Sequence, residues 1–387
     1  MMGPIEAAAS LDDVFGAGAE ALLRSALERR LLDGAAVGLV REGRCWVRVV
    51  GDGIEAESQF ELGSLTKVFT AELLAILVER GVVGLDDPVG RYLPHGVAEV
   101  GAEPVRLVDL ATHRSGLPRL PGNFGSVLAA DPYAGYGFDR LDEFLKTQRL
   151  QKPAAAEFLY SNLGYALLGY ALARAAGVTY EELLRREILE PLGMGETALA
   201  MTGRSLPRLV SGQTQAGLPA AYWTFDAFAP VGALCSTAGN QLKWLSWLLE
   251  DTDRLSMRAR AEAGGGQVGL GWMIRPGGES CWHNGGTGGF SSYMAVHRGL
   301  KYGLVVLTNR HAPELVMTLG SSFERYLMGK PVAALAGDYG RGRARVLEPI
   351  RWVARPLMSL PGWVRYGLVG AGVMYCLVEL IAAWARR

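Results

Sequence analysis

Ser64 and Lys67 stand three residues apart in Gly63-Ser64-Leu65-Thr66-Lys67, where an apolar helical pattern begins, so both side chains project from one face. A serine hydroxyl becomes a nucleophile when a neighbour takes its proton, and a lysine amine does so where desolvation lowers its pKa. The apolar run provides that setting, and the helix N-terminus adds N–H donors for an oxyanion. The spacing equally suits an N-cap serine beside a solvated lysine. A second group is Tyr160-Ser161-Asn162, ahead of another apolar helical run. A phenol near a lysine ammonium ionises more easily and relays a proton, and an amide side chain holds a substrate carbonyl. Ser161 and Asn162 also fit simple helix capping. The third group, His283-Asn284-Gly285-Gly286-Thr287-Gly288-Gly289-Phe290, has four glycines between two β-rich runs. Such a segment lets a backbone N–H approach a ligand closely, or is a flexible turn. The remaining histidines, His95, His113, His297 and His311, read as isolated, and no metal-ligand spacing involves His283.

The elements that must position these groups follow from periodicity. Residues 18–32 read as a helix, and 36–41 with 45–51 as a hairpin across Glu42-Gly43-Arg44. A buried helix starts at or just before Ser64 and stops at Gly81. From about 85 to 231 the chain is mostly helical and loop-like, with turn signals at Asp86-Asp87-Pro88 and Ser115-Gly116-Leu117-Pro118. Strand patterns return at 268–274, 280–283, 290–297 and 302–309. The expected fold class is therefore α+β: an antiparallel sheet formed by both chain ends, flanked by helices, with a mainly helical insertion at about 85–230.

Taken together and in this order, the three groups resemble the serine β-lactamase and penicillin-binding-protein superfamily, in its class C-like esterase and peptidase branch. Further matches are Phe60-Glu61-Leu62-Gly63-Ser64-Leu65-Thr66-Lys67, Leu110-Ala111-Thr112-His113-Arg114-Ser115-Gly116-Leu117-Pro118 and Gly269-Leu270-Gly271-Trp272. The resemblance spans roughly residues 20–330. It implies that Ser64 is the acylated nucleophile, Lys67 its activating partner and Tyr160 the base that shuttles the proton to the leaving group. Asn162 would hold the substrate's amide or carbonyl. His283 and Gly285 occupy the third motif, and the backbone N–H groups of Ser64 and Gly286 form the oxyanion hole. Penicillin-handling relatives carry a lysine where His283 stands, so the resemblance points to esters or D-amino peptides before β-lactams. The run Lys152-Pro153-Ala154-Ala155-Ala156-Glu157 replaces the Pro-Gly turn common in relatives. Neither cofactor nor metal is required.

Composition bounds the alternatives. The chain has 387 residues, 39 basic and 39 acidic, so its zero net charge gives no general electrostatic case for nucleic acid, and a small ester, amide or peptide is the expected partner. Four scattered cysteines show neither a disulfide framework nor a zinc knuckle. No GxSxG surrounds any serine, and Gly16-Ala17-Gly18-Ala19-Glu20-Ala21 follows no strand, which disfavours an α/β-hydrolase and a dinucleotide site. The expected organisation is a hydrolase unit at 1–335, a basic linker at 336–365 and an apolar segment at 366–384. The last is near the roughly 20 residues of a membrane span. With six arginines between Arg341 and Arg365 and no secretory signal at the start, the expectation is a membrane-associated protein with its catalytic body in the cytoplasm. A helix docked on the enzyme body, or lying in the interface, fits the same segment. Acyl transfer to an amine or alcohol is a second function. A non-catalytic sensor or scaffold is a third, and its signature would be loss of Ser64, Lys67 or Tyr160. Oligomeric state is left open.

Overall fold

The computed structural model describes residues 3–93, 104–147, 157–201 and 203–335. Its strands are β1 (Ile5–Ala7), β2 (Gly34–Arg41), β3 (Arg44–Gly51), β4 (Phe60–Glu61), β5 (Ala198–Leu199), β6 (Leu234–Ser236), β7 (Ala261–Ala263), β8 (Gly266–Val268), β9 (Met273–Ile274), β10 (Ser280–Gly286), β11 (Ser291–His297) and β12 (Tyr302–Thr308). The α-helices are α1 (Asp12–Phe15), α2 (Ala19–Glu28), α3 (Thr66–Glu79), α4 (Leu107–Ala111), α5 (Phe138–Thr147), α6 (Asn162–Ala176), α7 (Tyr180–Leu184), α8 (Ala229–Gly232), α9 (Ala238–Glu250) and α10 (Pro313–Leu327).

Nine strands form one sheet in the order β1-β3-β2-β12-β11-β10-β9-β8-β7. The early hairpin and the late strands meet where β2 pairs antiparallel with β12, Val37 opposite Val306, so the two ends of the chain do close one sheet. The short edge strand β1 departs from the antiparallel expectation, pairing parallel with β3. The expected 268–274 strand is two short ones, because Gly271 turns the chain through a left-handed conformation (φ 74°). Alternation along β2, β11 and β12 sends side chains into two cores. On one face Leu39, Tyr293, Leu304 and Val306 pack with Leu23 of α2 and Leu319 and Phe323 of α10. On the other, Val40, Met294 and Val305 meet Leu242 and Leu245 of α9 and the apolar interior around α3.

Helix α3 is buried on nearly every side, from Thr66 to Leu77. Each fully buried leucine there, such as Leu73 and Leu74, contributes roughly 1.5–3 kcal/mol relative to exposure. This fixes the helix as a post in the middle of the molecule, so its first turn is a rigid place to mount chemistry. A small second sheet, ordered β4-β6-β5, holds the chain just upstream: Phe60 and Glu61 pair with Ser236 and Cys235, and Leu62 N–H donates to the Leu234 carbonyl at 2.8 Å.

The structure corrects the expected membrane localisation. Among the described residues no helix is long and apolar enough to cross a membrane, and both the 336–365 linker and the 366–384 segment lie outside those residues. The membrane-anchored placement, with a cytoplasmic body, therefore has no support in the fold. His95 and the 152–156 run also lie outside the described residues.

Candidate active site

Strand β4 hands the chain to a single 3-10 turn, Gly63–Leu65, before α3 begins. Ser64 sits in that turn and caps nothing, so the capping alternative falls away. Two glycines allow β10 to lie directly on the turn. Gly63 has φ 53°, and a Cβ there would come within 2.7 Å of Gly286 N. A Cβ on Gly285 would come within 2.0 Å of the Leu62 carbonyl oxygen and 3.0 Å of Ser64 N. The backbones of Ser64 and Gly286 are thereby brought together at one point, and Ser292 Oγ donates to Leu62 O at 2.7 Å to hold the approach. The strand continues through Asn284–Gly286, where the sequence suggested a loop, and among the described residues this part pairs with β11 alone, leaving its other edge open.

Lys67 Nζ lies 2.9 Å from Ser64 Oγ and donates to the Val231 carbonyl at 3.0 Å. The side chain is fully buried, and no carboxylate pairs with it among the described residues. Burial, helped by the nearby Arg119 guanidinium, holds its pKa well below the usual lysine range, which favours the free amine. The Tyr160 ring stands 5.0 Å from Nζ and carries the Arg119 guanidinium 5.5 Å from its centroid. Burial pushes the phenol up to about 12, against the opposing pull of a Ser64 hydrogen bond and Arg119. The readily ionised phenol expected from the sequence is thus a protonated one at neutral pH, because its burial outweighs the groups that would favour ionisation.

Helix α6 opens with Ser161 as N-cap, its Oγ accepting Gly164 N–H at 2.9 Å. This turns Asn162 toward the cleft, so capping and a cleft-facing amide are both realised by adjacent residues. Asn162 Nδ2 donates to Tyr133 Oη at 2.7 Å, while its buried Oδ1 has no partner among the described residues. His283 is only 3% exposed, its Nδ1 donating to the Asn284 carbonyl at 2.6 Å. Burial, then the field of Lys67, push its pKa down to about 3, so the imidazole is neutral. It packs behind Tyr160, 6.2 Å between ring centroids, and the cleft wall beside it is Asn284, Gly285 and Gly286.

The cleft encloses about 420 Å³ above Ser64. Tyr133, Trp223 and Phe225 form an aromatic side, with Tyr133 centred 4.8 Å from Phe225 and 5.5 Å from Trp223, and His311 also lines the cleft. Glu61 joins the walls: its buried carboxylate accepts Trp223 N–H at 2.8 Å and the Thr287 hydroxyl at 2.5 Å. Burial pushes its pKa up to about 7 despite both bonds. Of the residues singled out in the sequence, Ser64, Tyr160, Asn162, Gly285 and Gly286 line this cleft, Lys67 sits beneath Ser64, and His283 is not in the lining, whereas Arg119, Trp223, Asn284 and His311 in the lining, and Glu61 and His113 behind it, were not singled out. Glu61 and His113 stood inside matched motifs, which was the available signal. The others lie in loops or on a strand taken for a loop.

Comparison with known proteins identifies the family. The Beta-lactamase family profile matches residues 19–320. The D-alanyl-D-alanine-carboxypeptidase/endopeptidase AmpH of Escherichia coli K12 is 30% identical over 288 residues, 66% of this chain and 72% of AmpH. A Yersinia pestis beta-lactamase/D-alanine carboxypeptidase, solved with citrate, superposes with a TM-score of 0.67 at 27% identity, over 78% of this chain and 94% of that one. A class C beta lactamase from Rhodobacter sphaeroides shares the fold, with a TM-score of 0.67 at 24% identity over 80% and 98%. On the extent of the family match and the identity to AmpH, the chain belongs to the beta-lactamase family and is a serine hydrolase acting on amide or ester bonds.

Proposed function

We propose that the protein, through the unit at residues 1–335 with its helical insertion at about 85–230, hydrolyses D-alanyl-type peptide amides or short esters by way of an acyl-enzyme on Ser64. The observation that carries this reading is the fully buried Lys67 amine 2.9 Å from Ser64 Oγ, with its pKa lowered by desolvation. The amine takes the Oγ proton as Oγ adds to the substrate carbonyl. The oxyanion is met by the N–H groups of Ser64 and Gly286. The Tyr160 hydroxyl gives its proton to the departing amine or alcohol, and the Lys67 ammonium then restores the phenol. Water adds to the acyl carbonyl in the second half, passing a proton through the same pair as Ser64 Oγ leaves.

Asn162, with its unpartnered Oδ1, binds an amide of the substrate, and the open edge of Asn284–Gly286 receives an extended backbone. A peptide amide is supported by the activity named for the Escherichia coli relative. His283 is neutral and buried, so the third motif supplies no cation there, which argues against efficient β-lactam turnover. The test is kcat/KM on p-nitrophenyl butyrate, a D-alanyl-D-alanine peptide and nitrocefin. The reading expects one of the first two to exceed nitrocefin by at least about tenfold. A nitrocefin value equal to or above both would reverse it.

A further inference from the structure

Tyr160 is gripped from both sides by a residue that the mechanism above leaves unused. His113 follows α4 in the left-handed backbone region (φ 56°). Its carbonyl accepts the Leu159 N–H at 2.8 Å, and its Nδ1 accepts the Ser161 N–H at 3.0 Å. The two residues flanking Tyr160 are thus anchored on one histidine. Between them, the imidazole lies against the phenol ring, 4.3 Å between centroids at 31°. Tyr165 and Phe158 close the other sides at 5.0 and 5.6 Å.

The protonation state follows from the bonds. Because Nδ1 accepts, the ring proton sits on Nε2, which is buried and has no hydrogen-bond partner among the described residues. An orphaned buried donor of this kind is destabilising, and a residue kept only for stability would be expected to avoid it. An asparagine would tolerate φ 56° and accept from Ser161, but it has no ring face for the phenol to rest on. A phenylalanine would provide the face and lose the acceptor. Histidine supplies both, and burial above all, with the nearby Lys67 and Arg119, keeps it neutral and able to accept.

We propose that His113 is a positioning residue for Tyr160, fixing the height and tilt of the phenol over the Ser64–Lys67 pair so that its hydroxyl reaches the leaving group. This rests on the reading of Tyr160 as proton donor to that group. The consequence is a leaving-group signature. A p-nitrophenolate departs without needing a proton, whereas an amine does not, so a misplaced phenol penalises amides selectively.

The experiment measures kcat and KM of wild type, His113→Asn, His113→Phe and Tyr160→Phe on a p-nitrophenyl ester and an amide sharing one acyl group. Both His113 variants are expected to lose about 10- to 100-fold in kcat on the amide, where acylation limits, with little change in KM, and less than about threefold in kcat/KM on the ester, a ratio that excludes the shared deacylation step. A variant that folds poorly loses both substrates alike, so equal loss on the two overturns the proposal. Unchanged amide turnover in both His113 variants, with Tyr160→Phe impaired, also overturns it and leaves the Tyr160 reading intact. Unchanged amide turnover in Tyr160→Phe removes the Tyr160 reading itself, and the role of His113 with it.

Discussion

The Val231 carbonyl oxygen accepts Lys67 Nζ at 3.0 Å, so the partner of this buried amine on the α8 side is a neutral dipole and not a carboxylate. A dipole orients the amine toward Ser64 without stabilising its charged form enough to offset desolvation. An amine whose pKa falls below 10.5 in the fold binds a proton more readily when unfolded, so its contribution to stability rises with pH until the ordinary lysine value is passed. Urea midpoints of wild type and Lys67→Met should therefore move in favour of wild type between about pH 7 and pH 10. A difference independent of pH would mean the amine is charged in the fold. Activity of the variant should fall by about 10²-fold or more, chiefly in kcat.

Glu61 predicts the opposite slope. Its carboxyl is raised from 4.5 to about 7 in the fold, so the folded protein holds a proton that the unfolded chain has released. The resulting penalty is absent below about pH 4.5, grows as pH rises and is complete above about 7. Relative to Glu61→Gln, wild type should lose stability across that window and no further beyond it. The measurement is the difference in thermal midpoint at several pH values, and a flat difference would show that burial does not perturb this group.

Gly285 tests how closely the β10 strand must approach the nucleophile's turn. A methyl group there would meet Leu62 O at 2.0 Å, whereas one on Gly286 would meet only Phe290 O, at 3.7 Å. Gly285→Ala should therefore lower the thermal midpoint clearly more than Gly286→Ala, by an amount typical of overpacking, about 1–3 kcal/mol. Equal midpoints would mean that the strand and turn separate easily.

Much of this was legible in the sequence for a physical reason. Ser64 sits in the turn that leads straight into the helix bearing Lys67, whose periodicity is unmistakable, and Tyr160 and Asn162 bracket the capped start of another, so spacing alone sets their relative positions. The pairing of β2 with β12 followed from strand patterns at both ends. Less visible was the continuation of β10 through Asn284–Gly286, because four glycines suggest a turn unless the Leu62 carbonyl they must clear is known. His113 looked isolated because its bonds to Leu159 and Ser161 cross a loop with no period. Glu61 could not be seen as a brace, since Trp223 and Thr287 are far away along the chain.

The account depends above all on Ser64 forming a covalent bond with the substrate's acyl group, and intact-mass spectrometry after treatment with a fluorophosphonate reads this directly. Wild type should gain the mass of a single adduct, located by peptide mapping on Ser64, and Ser64→Ala should gain none. An adduct of the same stoichiometry on Ser64→Ala, or mapping to another residue in wild type, would contradict the assignment.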